Sequence, residues 1–268
     1  MQGPIIVGTD LRAAADRAID RAIQLGQQWG VEVIAVHAYD PADERVDTAD
    51  LEQRLRRIMP HPDAAVILRV EPGEPDQVLA RVARETGASL LVVGAVDFNE
   101  VSDYFVGTAV ERIVADAPVP VLVVRNRPHG GYRHILSPSD FETTSRAALE
   151  LAAEWFPALP ITLVHAFHVP FSGWQKADYV REEIRETEGD DCDTFLQGLR
   201  PDTRARITRR LVHGDTVTAA LDSLRTQDAD LVVIGTARPT GLRAALGGGI
   251  SDLLEVLPAD TLIVTDGG

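Results

Sequence analysis

Short apolar runs alternate with amphipathic stretches along the whole chain, and this alternation predicts strands separated by helices. Residues 12–29 space their apolar side chains as one face of a helix does, and Pro75 suits the first turn of another helix. Continuous apolar strands that alternate with helices are typical of a parallel sheet covered on both faces. The five strands predicted for the first half are Ile5–Gly8, Val31–Ala38, Ala65–Val70, Leu90–Val93 and Val119–Val124.

The same order recurs in the second half, which indicates a duplication. Apolar runs near 134–137, 160–166, 206–212, 230–234 and 260–264 predict strands there too, and a long acidic helix is predicted in 174–196. Because six matches keep one order, with offsets of 128 to 141 residues, we interpret the chain as a tandem repeat. The matches are Asp10 with Asp140, Val36-His37-Ala38 with Val164-His165-Ala166, Gly73 with Gly214, Leu91–Gly94 with Val232–Gly235, Gly107 with Gly248, and Val121–Val124 with Thr261–Val264.

The boundary between the repeats is predicted in a Pro/Gly-rich segment, Asn126-Arg127-Pro128-His129-Gly130-Gly131, which follows an apolar strand. We therefore expect two domains, residues 1–128 and 133–268. The length of 268 residues agrees with this division at about 150 residues per domain. The last strand of each repeat is rich in Val and Ile, so an exposed edge there would promote aggregation, and we expect the two strands to face each other.

Composition and charge restrict the classes of partner. The chain carries 26 basic and 41 acidic residues, a formal net charge of −15 at pH 7, which disfavours nucleic acid and anionic membranes. No apolar run approaches the roughly 20 residues of a spanning helix, and no basic region precedes the first apolar run as in a signal peptide. The single cysteine, Cys192, excludes an internal disulfide and a Cys-rich metal site. We expect a cytoplasmic protein without a nucleic-acid or membrane partner.

Candidate ligand-binding residues follow the strands, because ligands of open parallel sheets bind beyond the carboxyl ends of the strands. Asp10 and Asp140 each follow the first strand of a repeat and either contact a ligand or cap the next helix. His37 and His165 end the second strands and either line the cleft or are partly buried, satisfied histidines. Ser145 lies near Asp140 and His165 in the sequence, but nothing in the sequence places the three as a catalytic triad.

Two loops combine glycines with the predicted start of a helix. Gly94-x2-Asp97 is followed by nine residues and Gly107-Thr108, and Gly235-x2-Arg238 by nine residues and Gly248-Gly249. Glycines let the backbone approach a phosphate, and the free N–H groups and dipole of a helix start favour an anion. Gly94 and Gly235 are alternatively ordinary turn glycines.

These loops resemble the universal stress protein family in its tandem two-domain form, whose pattern is Gly-x2-Gly-x9-Gly-Ser/Thr before a helix and a Pro-flanked, Val-rich strand. The stretch 107–124, Thr240-Gly241-Leu242, and Ile135–Asp140 with Ser145–Leu149 carry the resemblance. It implies two tandem flavodoxin-like α/β domains, each a five-stranded, mainly parallel sheet with helices on both faces. It also implies a role in the stress response, ATP binding in one branch of the family, and dimer contacts through the last strands, hence a homo-oligomer.

The site residues that the resemblance implies depart from the family pattern. The second motif glycine is replaced by Asp97 in one half, where its charge would repel phosphates, and by Arg238 in the other, where it would attract them. Gly249 replaces the hydroxyl residue of the second motif. The implied nucleotide contacts are Asp140, Ala166, Gly235, Arg238, Gly248 and Gly249 in domain 2, and Asp10, Gly94, Asp97, Gly107 and Thr108 in a degenerate domain 1.

We therefore expect ATP in the second domain, with Mg²⁺ only as its companion. The alternative is a scaffold of the same fold that binds a partner or another small ligand and not ATP. No Gly-x-Ser-x-Gly or His-Glu-x-x-His motif is present, so catalysis is expected to be at most a slow ATP hydrolysis.

Overall fold

The computed structural model describes residues 2–12, 16–60, 65–95, 107–168, 177–237 and 249–265. Its strands are β1 (Ile5–Gly8), β2 (Val33–Tyr39), β3 (Val66–Pro72), β4 (Leu90–Gly94), β5 (Val121–Val124), β6 (Ile135–Pro138), β7 (Ile161–Phe167), β8 (Ile207–His213), β9 (Leu231–Thr236) and β10 (Asp260–Thr265). Its helices are α1 (Asp16–Trp29), α2 (Thr48–Arg57), α3 (Pro75–Thr86), α4 (Gly107–Asp116), α5 (Thr143–Trp155), α6 (Ala177–Gln197), α7 (Pro201–Arg204), α8 (Thr216–Gln227) and α9 (Gly249–Val256).

The strands form one ten-stranded sheet in the order β3-β2-β1-β4-β5-β10-β9-β6-β7-β8. Within each half all neighbouring strands are parallel, and the strand order reverses direction between β1 and β4 and between β6 and β9. The expected α/β fold, with five parallel strands in each half and helices on both faces, is confirmed, and the two halves share one continuous sheet.

The two last strands join the halves. β5 and β10 pair antiparallel, with Leu122 opposite Leu262 and Val121 opposite Ile263. The prediction that these strands face each other is confirmed, and each covers the apolar edge that the other would expose. β5 begins two residues later than the sequence predicted, at Val121, because Pro120 has no N–H to donate to a ladder.

The hydrophobic core differs between the two faces of the sheet. On one face α1, α2, α5 and α6 cover a single cluster of buried side chains that runs across both halves. On the other face α3 and α4 cover a cluster that belongs mainly to the first half and also includes Ile263 of β10, and α8 and α9 cover a separate cluster of the second half. The continuous cluster makes the two repeats one packing unit on that face.

Aromatic side chains fill the seam between the halves within the continuous cluster. The Trp29 ring lies 5.6 Å from that of Trp155 and 5.5 Å from that of Phe156, between centroids. The indole N–H of Trp29, at the end of α1, donates to the carbonyl oxygen of Trp155, at the end of α5, over 3.3 Å. These contacts connect equivalent helices of the two repeats.

A buried ionic cluster ties α1, the segment between the halves, and β10 together. The carboxylate of Asp260, 1% exposed, lies 3.3 Å from Nε of Arg21, 6% exposed, in ionic rather than hydrogen-bonded geometry. The Tyr132 hydroxyl donates to the same carboxylate over 2.7 Å, and the N–H groups of Arg125 and Asn126 donate to its other oxygen. Burial, followed by the charge of Asp260, raises the pKa of Tyr132 well above its ordinary value.

Two features of the second half extend the sequence prediction. The acidic helix α6 has 21 residues, against 10 in its counterpart α2, as its longer apolar and acidic pattern indicated. The short helix α7 was not predicted, because its four residues contain too few positions for a periodic pattern. Among the residues that the structure describes, no helix has the length and apolar character needed to cross a membrane.

Candidate functional site

A crevice begins where the strand order reverses, at the carboxyl ends of β1 and β4 in one half and of β6 and β9 in the other. The β1–β4 ladder reaches Val7, whereas the β6–β9 ladder ends one pair sooner, at Leu136. Pro138 has no N–H to donate, and the buried hydroxyl of Ser137 donates to the carbonyl oxygen of Val233 over 3.1 Å instead. The ladder between the two central strands of the second half is therefore one residue pair shorter than that of the first half.

The loop after β1 has a left-handed residue that a network of hydrogen bonds holds in place. Leu11 has φ 63°, and its N–H donates to the Thr9 hydroxyl over 3.1 Å. The N–H of Arg12 donates to Oδ1 of Asp10 over 2.9 Å. Nδ1 of His37 lies 2.9 Å from the carbonyl oxygen of Thr9, so this ring nitrogen carries the proton.

The loop after β6 repeats this network contact by contact. Phe141 has φ 65°, and its N–H donates to the Ser139 hydroxyl over 3.1 Å. The N–H of Glu142 donates to Oδ1 of Asp140 over 3.1 Å, and Nδ1 of His165 lies 2.7 Å from the carbonyl oxygen of Ser139. The sequence gives no signal for a left-handed Leu or Phe, since such residues rarely adopt this conformation.

The two aspartates differ in the contacts of their carboxylates. Oδ1 of Asp140 also accepts the Ser145 hydroxyl over 2.8 Å, whereas Oδ2 of Asp10 lies 3.7 Å from Nε of Arg12. Both aspartates are exposed. The N-cap of α5 is Glu142, so Asp140 orders the turn before the helix and is not its cap. The residues just before α1 lie outside the described part of the chain, so the capping of α1 by Asp10 stays a prediction.

The two histidines are partly buried and hydrogen-bonded, as one of the two interpretations predicted. The His165 ring stacks on that of Phe141, with centroids 4.2 Å apart and planes 24° apart. Nε2 of His165 lies 3.0 Å from Oε2 of Glu188 on α6. The sequence could not indicate this pair, because the two residues belong to different elements whose spacing is set by packing.

The Ser145 hydroxyl does not reach a base. It donates to Asp140, while the two ring nitrogens of His165 face Ser139 and Glu188. The contact between nucleophile and base that a triad needs is therefore missing. In the described ranges no group of three or more His, Cys, Asp or Glu side chains is arranged to hold a metal ion.

Gly235 is required by packing and is not a turn glycine. It lies within β9, and a Cβ there would be 2.1 Å from the carbonyl oxygen of Thr144 in the first turn of α5. Gly94 ends β4, opposite Val124 of β5. Ala166 lies on β7, where it packs against the core of the second half under α8. Gly235 and Ala166 therefore lie near the carboxyl ends of β9 and β7 but face opposite sides of the sheet.

The two phosphate-loop candidates are described only at their ends. Asp97, Arg238 and Gly248 lie outside the described residues. Gly107 and Gly249 begin α4 and α9, so both helices start where the motif spacing predicted. Thr108 lies in the first turn of α4.

Cys192 packs in the continuous core, with 0% exposure. Burial, and then the nearby Asp193, raises the pKa of its thiol, although Arg209 acts in the opposite direction. A buried thiol with a raised pKa is a poor nucleophile, and burial is the larger cause here.

The sheet order and the paired loops define a tandem, doubly wound α/β protein with a candidate ligand site at each reversal of strand order. The model of the universal stress protein family matches residues 1–125 and 131–265. The chain belongs to the universal stress protein family, in a tandem two-domain form.

Individual proteins of known sequence or structure are similar to this chain. The "universal stress protein in QAH/OAS sulfhydrylase 3′ region" of Thermus aquaticus is 28% identical over 137 residues, 45% of this chain and 97% of that protein. A putative universal stress protein from Pseudomonas aeruginosa UCBPP-PA14 has a solved structure that matches 99% of this chain and 94% of its own, with 19% identity and a TM-score of 0.67. A universal stress protein solved in complex with cAMP is 28% identical over 46% of this chain and 97% of its own, with a TM-score of 0.39.

Proposed function

We propose that this universal stress protein binds an adenine nucleotide, ATP with Mg²⁺ as its companion, in the crevice of the second half, and acts in the cytoplasmic stress response. The observation that carries the proposal is the Asp140 carboxylate at the mouth of this crevice. One of its oxygens is fixed by the Ser145 hydroxyl and the Glu142 N–H, yet the residue remains exposed. A fixed, exposed carboxylate is suited to accept hydrogen bonds from ribose hydroxyls.

The contacts of the two aspartates favour the second half over the first as the half that binds the nucleotide. Asp10 has the Arg12 guanidinium beside it, which competes for its second oxygen. The equivalent of Arg12 is Glu142, which cannot form such a pair. The β6–β9 ladder is also one residue pair shorter than the β1–β4 ladder, which leaves more backbone groups at the end of these strands free of ladder pairing.

The charges in the two glycine-containing loops also favour the second half as the half that binds the nucleotide. Asp97 brings a negative charge to the first loop, and two unit charges ~4 Å apart interact by about 4 kcal/mol at an effective dielectric near 20. One hydrogen bond from Thr108, worth about 1 kcal/mol net, does not offset this repulsion. Arg238 brings a positive charge to the second loop, ahead of the free N–H groups at the start of α9.

Calorimetric titration of the full-length chain, freed of bound nucleotide, with ATP and with AMP tests the proposal. We expect Asp140→Asn to weaken binding about tenfold or more, equivalent to roughly 1.4 kcal/mol. The matched control Asp10→Asn should leave the affinity within about twofold. Gly248→Val, which adds a branched side chain ahead of α9, should abolish binding of ATP. Equal losses from the two aspartate variants, or a loss from Asp10→Asn alone, would contradict the assignment to the second half.

The alternative function is a scaffold or partner-binding protein of the same fold that takes no ATP. It is favoured by the loss of the motif hydroxyl at Gly249 and of both second motif glycines. Protein purified from cells, denatured and analysed by chromatography separates the two functions. If no nucleotide is released and neither ATP nor AMP binds the parent chain, the scaffold function replaces the first proposal.

A further inference from the structure

The sheet ends in two strands that have a neighbour on one side only. β5 and β10, the last strands of the two repeats, pair with each other inside the chain, so the edges of the sheet are β3 and β8. Among the described residues, β3 pairs with β2 alone and β8 with β7 alone. An edge strand presents unpaired N–H and C=O groups and is therefore a template for another strand.

Every second residue of β3 directs its backbone groups away from the sheet. The N–H of Gly73, directly after β3, donates to the carbonyl oxygen of Tyr39 over 2.9 Å, so Gly73 faces β2. The backbone groups of successive residues point to opposite sides of a strand, so the odd-numbered residues of β3 face β2 and the even-numbered ones face outwards. The outward residues that have both groups are Val66, Leu68 and Val70.

Apolar side chains lie on both faces of this edge. Val66, Leu68 and Val70 pack against the continuous core on the face that α2 covers, yet each stays partly exposed at the rim of the sheet. On the other face Ile67 is 44% exposed. In the part of the chain that the structure describes, the other exposed large apolar side chain is Val256, on α9. The β3 edge therefore leaves apolar surface uncovered on both faces.

The charges beside the β3 edge are balanced within the chain. Arg69 lies 3.7 Å from Glu85, and Arg81 lies 3.1 Å from Glu71 and 3.3 Å from Glu85. These ion pairs set two arginines against two glutamates. A second strand that approaches this edge therefore meets no excess of either charge.

The other edge is less suited to pairing with itself. Arg209 and Arg210 are adjacent at the centre of β8, so a symmetric pairing about either residue would bring like charges together. Arg209 also pairs with Asp193 of α6. Of the two edges, β3 is thus the one that fits a second copy of the chain.

We propose that the β3 edge is a homodimer surface, on which β3 of a second copy pairs antiparallel about a twofold axis through Leu68. Leu68 then lies opposite Leu68 of the second copy, and Val66 lies opposite Val70 of the second copy. All of these residues face outwards, so each pair exchanges two backbone hydrogen bonds. Ile67 lies opposite Arg69 of the second copy, whose aliphatic stem covers it.

The other registers lose part of these contacts. An axis through Arg69 places this residue opposite itself and brings two like charges together. An axis through Val70 places Leu68 opposite Pro72, which has no N–H to donate. An axis through Ile67 leaves Val70 opposite a position outside β3. An axis between two residues would bring side chains of opposite faces together. The pattern of β3 itself therefore selects Leu68.

Analytical ultracentrifugation of the full-length chain over a range of micromolar concentrations tests the dimer and its register. We expect the parent to show a monomer–dimer equilibrium, since a twofold interface closes at two chains. Ile67→Lys should weaken the dimer about tenfold or more, because the lysine faces Arg69 of the second copy. Ile67→Glu should keep the affinity within about threefold, because its carboxylate pairs with the same arginine.

The matched control is Val256→Lys, which places the same charge at the other exposed apolar position and should leave the dimer unchanged. The exposure of Ile67 lets all three variants keep the parent fold, which circular dichroism checks. A parent chain that stays monomeric, equal effects of the lysine and glutamate variants at 67, or growth into open assemblies such as β3 on β8 would overturn the proposal.

Hydrogen exchange of single amides locates the interface. The amides of Val66, Leu68 and Val70 should gain protection as the concentration rises, whereas the odd-numbered amides of β3 should be protected at every concentration. The N–H of Gly214 donates to Phe167 over 3.0 Å, so the odd-numbered residues of β8 face outwards and their amides are the internal control. Protection at 66, 68 and 70 that does not change with concentration, or a gain of protection in β8 instead, would contradict the β3 dimer.

Discussion

Single residues give the loops of the candidate site a backbone conformation that the sequence does not predict. Leu11 and Phe141 adopt left-handed conformations, which for non-glycine residues cost on the order of 1–3 kcal/mol. Each is stabilised by a hydroxyl two residues earlier and by a histidine on the next strand. In both repeats the left-handed residue directly follows an exposed aspartate.

At the residue scale, Gly235→Ala is expected to destabilise the protein by about 3 kcal/mol. The new Cβ would lie 2.1 Å from a backbone oxygen of α5, so helix and strand would have to separate, and overpacking of this kind costs roughly 1–3 kcal/mol or more. The matched control is Gly131→Ala, where no atom lies within 4 Å of the added Cβ, and its effect should stay within about 0.5 kcal/mol. Urea unfolding measures both. Similar stabilities for the two variants would show that α5 can move away from β9 at little cost in free energy.

Elements of the second half depart from their counterparts mainly along α5 and α6. The short helix α7 is attached to α5 through Glu150, which accepts the Thr203 hydroxyl over 2.7 Å and the Arg200 N–H over 2.6 Å. Burial by itself would raise the pKa of Glu150. The hydrogen bonds and the charge of Arg200 together outweigh burial, so the net effect is a lowered pKa. The lowered pKa means that folding favours the charged carboxylate.

At the element scale, Glu150→Gln is expected to destabilise the protein by about 1–2 kcal/mol at pH 7, because charged hydrogen bonds to α7 are replaced by neutral ones. A carboxylate with a lowered folded pKa stabilises the fold above its unfolded pKa, near 4.3, and this contribution is lost as the pH falls through the folded value. The difference between parent and variant should therefore shrink below about pH 4. Urea midpoints at several pH values provide the measurement, and a pH-independent difference would argue against this origin.

The whole molecule behaves as one packing unit on the face where a single core crosses from repeat to repeat. The β5–β10 ladder, the Trp29–Trp155 contact and the Arg21–Asp260 pair join residues more than 100 positions apart. Since each half contributes side chains to the same buried cluster, neither can lose its structure without exposing the core of the other. Unfolding is therefore expected to be cooperative between the halves.

At the scale of the whole molecule, Asp260→Asn is expected to cost about 3–5 kcal/mol and to destabilise both halves together. The substitution leaves the buried Arg21 guanidinium without its counter-charge, and breaking a buried pair has this magnitude. Tyr132→Phe, which removes one hydrogen bond to the same carboxylate, should cost less, about 1.5–3 kcal/mol. Calorimetry should show a single transition that shifts to lower temperature in both variants. Two separate transitions would mean that the halves unfold independently.

The sequence by itself determined the strands, the helices and the duplication, because these depend on local periodicity and on the repeated order of matched residues. It also placed Asp10, Asp140 and the glycine loops at the carboxyl ends of strands, where parallel sheets bind ligands. Even the pairing of β5 with β10 followed from the apolar character of two edge strands. In each case the physical cause acts within a short stretch of chain or through a general rule of sheets.

Only the tertiary structure decided which side chains meet. How the helices pack on the sheet determines three contacts: Ser145 with Asp140, His165 with Glu188, and Arg21 with the buried Asp260. Such packing produces no periodic pattern in the sequence, so the sequence could not predict these contacts. Gly235 shows the difference at one position. Its sequence spacing suggested a phosphate loop or a turn, whereas the close approach of α5 is what requires the glycine, since only the folded chain brings Thr144 within reach of its Cα.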